Sequence, residues 1–173
     1  MITRRQAVLG LCLIPTLSAQ AKAMSMQPIT DFTWRYAADT VMGGVSEGRG
    51  WVEDDVLRLV GTVSIANNGG FIQIRTDLPR GLTRDEIGLR VRGNGERDFV
   101  HLRSIHSTRP WLSYRAGFAT SSDWTDITLP LNAFTPSRDA LPPQLRAEDV
   151  RSIGIVAYGR DHHADIAVSH IAV

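Results

Sequence analysis

Gln73, Arg75, Arg92, His101, Arg103 and Arg115 recur at alternate positions of strand-like runs, with Phe71 and Trp111 close by in the chain. Guanidinium forks hold carboxylates and phosphates through paired hydrogen bonds. Aromatic rings offer flat apolar surface with a polarised edge. If neighbouring strands align, these side chains share one face, and such a face suits sugars or acidic peptide groups. The plainer alternative is a solvated sheet face, whose charges give solubility and block edge pairing.

Two other clusters hold ligand-type residues. His162 and His163, flanked by Asp161 and Asp165, have the donor types of a metal site. Adjacent strand residues point to opposite faces, so a polar hairpin tip is the simpler expectation. Glu53, Asp54 and Asp55 carry oxygens that suit calcium. Nothing nearby completes the coordination, so they read as a turn. No nucleophile motif, phosphate loop or paired carboxylates stand out. The expectation is no catalytic residues, no metal and no cofactor. A hydrolase assembled from distant Asp and His residues ranks last.

Two glycine pairs punctuate the chain, in Asp39-Thr-Val-Met-Gly-Gly-Val-Ser46 and Asn67-Asn-Gly-Gly-Phe-Ile-Gln-Ile-Arg75. Glycine permits positive φ and close backbone approach. Asn-Gly signals a tight hairpin. Asp39, Ser46 and Asn67 read first as turn residues that cap nearby backbone groups. Gly44→Ala and Gly70→Val are therefore expected to destabilise the fold through φ strain.

The positioning elements are strands. Runs at 32–36, 50–53, 56–60, 63–66, 70–76, 87–92, 98–105, 112–119, 124–129, 152–158 and 165–173 recur about every ten residues, with turn residues between them. A single helical turn is expected near 145–150. Ile72 and Ile74 alternate with Phe71, Gln73 and Arg75. Leu89 and Val91 alternate with Arg90 and Arg92, and Val100 and Leu102 with Phe99, His101 and Arg103. One face is apolar and belongs to a core. The reading is an all-β sandwich or barrel.

The two glycine boxes, together with Gly61 to Ile65, Leu89 to Gly95, Tyr114-Arg-Ala-Gly-Phe118, Trp124 to Phe134 and Ile153-Gly-Ile155, resemble the NADH:ubiquinone oxidoreductase (complex I) intermediate-associated protein family over residues 32–173. That resemblance implies a single-domain galactose-binding-like jelly roll. It implies a non-enzymatic, assembly-factor or chaperone-like role through protein partners. Its motif positions make Asp39, Gly43, Gly44, Ser46, Asn68, Gly69, Gly70, Phe71, Arg75 and Tyr114 the candidate binding residues. The segment around His162 departs from the family, which tends to carry a Gly-x-Phe-type turn there.

The chain has 173 residues, enough for one well-buried domain without disulfides. Residues 1–23 read as a signal peptide, with Arg4-Arg5 before an apolar stretch and cleavage after Ala21 or Ala23. The twin-arginine route ranks ahead of the general secretory route. Cys12, the only cysteine, lies in this leader. Residues 24–31 read as a linker. Removing Arg4, Arg5 and Lys22 takes the formal charge from +1 to about −2, which carries no nucleic-acid signature. The remaining basic residues are all arginine, for which a composition bias of the source genome is the plainer explanation. A soluble periplasmic protein is expected, with no transmembrane segment in the mature chain. Respiratory-complex or envelope proteins are the expected partners. A glycan-binding module of the cell envelope is the alternative.

Overall fold

The computed structural model describes residues 25–173. The leader expected over residues 1–23, with Cys12, lies outside the described residues. Twelve strands run in chain order: β1 Gln27–Pro28, β2 Arg35–Ala38, β3 Glu47–Glu53, β4 Val56–Val63, β5 Phe71–Asp77, β6 Glu86–Gly93, β7 Arg97–Ser104, β8 Tyr114–Ala119, β9 Thr125–Pro130, β10 Thr135–Pro136, β11 Val150–Tyr158 and β12 His162–Ala172. The first sheet has the order β3-β4-β12-β6-β9, with β1 beside β12. The second has the order β10-β8-β7-β11-β5-β2. Every pairing is antiparallel. The fold is an all-β jelly-roll sandwich.

The alternation seen in the sequence sorts the two faces of each sheet. Leu57, Leu59, Leu89, Val91, Ile166 and Val168 of the first sheet meet Ile72, Ile74, Val100, Leu102, Ile153 and Ile155 of the second in one buried core. Burial of each such side chain contributes about 1.5–3 kcal/mol. Asp54 and Asp55 take positive φ values of 48° and 59° and form the two-residue turn joining β3 to β4. That conformation is what a tight hairpin demands, and Asp tolerates it.

Several expectations need correction. Residues 27–31 are not a free linker: Gln27 pairs with Ile171, Pro28 with His170, and Ile29 is fully buried. The strand expected at 32–36 lies at Arg35–Ala38. Of the strand expected at 63–66 only Val63, the last residue of β4, is strand, and a 3-10 turn over Ala66–Asn68 follows. Asn68-Gly69 makes no hairpin, because β4 and β5 belong to different sheets. Asn67 and Asn68, at φ 56° and 58°, reverse the chain as it crosses from one sheet to the other. The helical turn expected near 145–150 is a 3-10 turn at Ala147–Asp149. No helix among the described residues is long and apolar enough to cross a membrane.

Candidate functional site

The two glycine boxes meet at one rim of the sandwich, and Asp39 joins them. Its carboxylate is fully buried. It accepts hydrogen bonds from the Ser46 amide at 3.0 Å and hydroxyl at 2.5 Å, and from the amides of Gly70 at 2.5 Å and Phe71 at 3.1 Å. Burial opposes its charge, but the Ser46 hydroxyl and the three amides outweigh that and hold its pKa below the usual carboxylate range. The Ser46 hydroxyl also receives the Ser64 amide at 3.0 Å.

The glycines fit around this carboxylate. A Cβ on Gly44 would collide with the Asp39 carboxyl group and lie 2.8 Å from its Cβ. A Cβ on Gly69 would meet the same carboxylate. Gly43 and Gly70 supply the positive φ values of 91° and 124°. The expected cause of a Gly44→Ala defect is thereby corrected: the clash with Asp39 destabilises, and φ strain belongs to Gly43 and Gly70. Gly44→Ala is predicted to lower stability by about 2 kcal/mol, read as a shifted denaturant midpoint. An unchanged midpoint would show that the carboxylate can move aside.

Asp39, Gly44, Ser46, Gly69 and Gly70 thus build the rim. What the rim presents is apolar: Val41, Met42, Val45 and Ile65 are exposed by 76, 57, 46 and 53%. Tyr114 is corrected as well. It is buried in the core, and its hydroxyl donates to the Pro142 carbonyl at 2.9 Å.

Phe71, Gln73 and Arg75 point outward from β5 onto the outer face of the second sheet. One line of residues crosses that face: Arg35 pairs with Arg75, Arg75 with Gly154, Gly154 with His101, and His101 with Arg115. The next line holds Gln73, Val156, Phe99 and Gly117. Tyr158 packs edge-on against Phe99 and His101, with centroids 5.9 and 5.4 Å away. The Arg115 guanidinium lies 4.5 Å from the Tyr158 ring centre and donates to its hydroxyl at 2.8 Å. Arg103 donates to the carbonyls of Ser107 and Arg109 at 2.7 and 3.1 Å.

Burial, followed by the Arg115 charge, lowers the His101 pKa to about 3, so the ring is uncharged at neutral pH. Burial and then Arg75 lower the Arg103 pKa, and Asp77 opposes them. Arg75, Arg103 and Arg115 form no ion pair among the described residues. This surface presents guanidinium donors beside the edge of the Tyr158 ring; Gly154 and Val156 lie buried beneath it, and the Arg97 guanidinium covers Gly117.

Arg92 does not join this face. It lies on β6 in the first sheet, stacks on Trp124 at 4.9 Å, and lines a cavity of about 200 Å³ with Arg58, Asn94 and Asp165. Trp111 is exposed between β7 and β8, its carbonyl held by Ser137. His162 and His163 point to opposite sides of β12, as expected of adjacent strand residues. The His162 side chain is 4% exposed and reaches within 3.8 Å of the buried Asp98. No group of three or more His, Cys, Asp or Glu side chains converges as a metal site among the described residues.

Sequence reasoning missed Tyr158 and Gly154 as parts of the face. Period-two counting from Ser152 places both on the same side, but the run between them is apolar and carries no polar mark.

The family model described as complex I intermediate-associated protein 30 matches residues 23–167. No curated protein matches the chain by sequence. Among solved structures, the fold is similar to the family 11 carbohydrate-binding module of the cellulosomal cellulase Lic26A-Cel5E of Clostridium thermocellum. That match has a TM-score of 0.63 and 15% identity, covering 87% of this chain and 95% of that one. The family 11 module from Clostridium thermocellum in complex with a β-1,3-1,4-mixed-linked tetrasaccharide gives 0.60 at 17% identity, covering 84% and 92%. A family 30 carbohydrate-binding module gives 0.53 at 11% identity, covering 79% and 80%.

Proposed function

The chain belongs to the complex I intermediate-associated protein 30 family, and we propose that it is an exported, non-catalytic binding module holding a cell-envelope saccharide on the outer face of its second sheet. One observation carries this reading. Arg75, Arg115, Gly117 and Gly154, which come from three separate sequence motifs, converge on one face around Tyr158. Guanidinium donors beside a cluster of aromatic rings suit the ring and hydroxyls of a sugar. A similarly folded module is known in complex with a tetrasaccharide, which supports a saccharide as the ligand. The export leader in residues 1–23 supports a periplasmic site of action.

A second reading rests on the apolar rim. Val41, Met42, Val45 and Ile65 stand exposed on the two loops that Asp39 clasps. An assembly-factor or chaperone-like role would dock a respiratory-complex or envelope protein there. Two variants separate the readings. Tyr158→Ala is predicted to weaken saccharide binding at least tenfold by titration calorimetry, while Met42→Ser leaves it unchanged. If Met42→Ser abolishes capture of one defined envelope protein and Tyr158→Ala changes nothing, the rim is the site and the saccharide reading fails.

A further inference from the structure

Resting on the reading of this outer face as a saccharide site, we infer that its ligand is acidic: an oligosaccharide bearing carboxylates, held by Arg75 and Arg115 at the two ends of a floor made by Gly154 and His101. Four paired strands carry these residues in one line. Strands lie about 4.8 Å apart, so the backbones at Arg75 and Arg115 are separated by roughly 14 Å.

The charge on the face is unbalanced. Its carboxylate, Asp77, is held by Arg35 at 2.5 Å. Arg75, Arg103 and Arg115 have no carboxylate within ion-pair distance among the described residues. Arg103 is fixed by two carbonyls, which orient its charge without neutralising it. Arg75 stands close enough to depress its pKa. A neutral sugar would leave that repulsion in place, whereas a carboxylate would relieve it. His101, uncharged at neutral pH, lets the middle of the floor take an uncharged ring between two charged groups.

An acidic peptide would also meet the guanidiniums. The floor strands β11 and β7, however, are paired on both sides, so a peptide finds no free strand edge there to extend. The Tyr158 ring beside the Arg115 guanidinium suits a sugar ring instead. A Cβ at Gly154 would meet its neighbours at 3.5 to 3.6 Å, ordinary contact distances.

The test titrates the full-length protein with oligogalacturonate, its methyl ester and polyglutamate, at low and high salt. The wild type, Arg75→Gln and Gly154→Val are compared. Oligogalacturonate is expected to bind at least tenfold more tightly than the ester. Salt and Arg75→Gln should both erase that preference. Gly154→Val should weaken both saccharides. Equal affinity for acid and ester, both lost in Gly154→Val, would overturn the acidic ligand and leave the saccharide face standing. Polyglutamate binding as tightly as oligogalacturonate would replace the saccharide with an acidic peptide. Failure of both saccharides to bind would overturn the inference and the reading beneath it.

Discussion

Asp39→Ala is expected to destabilise the fold by about 4 kcal/mol, measured as a denaturant midpoint. One buried carboxylate accepts four hydrogen bonds, from Ser46, Gly70 and Phe71. Removing it leaves three amides and a hydroxyl without their acceptor, and bonds to a charged group are the stronger kind. The two loops it joins are 31 residues apart at the Asp39–Gly70 contact, so nothing local replaces it. Asp39→Asn should recover part of this, because an amide oxygen in the Oδ2 position keeps three of the four bonds while the NH2 group faces the Ser46 amide.

The pH dependence follows from the lowered pKa. A carboxylate depressed on folding adds stability above its unfolded pKa of about 3.9, and that stability is lost as the pH falls through the lower folded value. The gap between wild type and Asp39→Asn should therefore close in acid. A midpoint for Asp39→Ala within 1 kcal/mol of wild type at pH 7 would contradict the clasp.

Asp98→Asn is expected to do the opposite and stabilise the protein. Asp98 points into the sandwich from β7, is fully buried, and has no hydrogen-bond partner on either oxygen. His162, facing it from β12, stops at 3.8 Å, too far for a hydrogen bond. Burial raises the Asp98 pKa from 3.8 to about 7; Arg160 works against the rise and Glu96 adds to it. At about 1.4 kcal/mol per unit, ionising this group in the fold costs about 4 kcal/mol.

The sign is that of a carboxylate raised on folding. The folded state holds its proton more tightly, so stability falls as the pH climbs from about 4 through 7. Asn keeps the shape without the charge. Its gain over wild type should be small at pH 4.5 and reach about 10 °C in melting temperature at pH 8. A gain that does not change with pH would show that folding does not raise the Asp98 pKa.

The strands were legible because alternation marks a half-buried sheet, and the Ile72–Ile74 and Val100–Leu102 pairs face the core as read. Alternation says which side of a strand a residue takes, not which sheet the strand joins. Arg92 shows that limit: its face was right and its sheet was wrong. Asn68-Gly69 looked like a hairpin because a turn signal is local, while the change of sheet after β4 depends on distant pairings. Asp39 was readable as a polar cap, but its partners at Gly70 and Phe71 are set by the meeting of two loops. Asp98 did leave a trace. It falls in phase with Val100 and Leu102 on the apolar side of β7, where a charge is costly.

The central claim is that ligand occupies the outer face of the second sheet. Backbone-amide chemical shifts of the protein, followed during titration with oligogalacturonate, test it most directly. The account predicts perturbations at Gln73, Arg75, His101, Arg115 and Gly154, with the rim residues Val41, Met42 and Ile65 unmoved. Shifts confined to that rim, or to the Arg58 and Arg92 cavity of the opposite sheet, would contradict it.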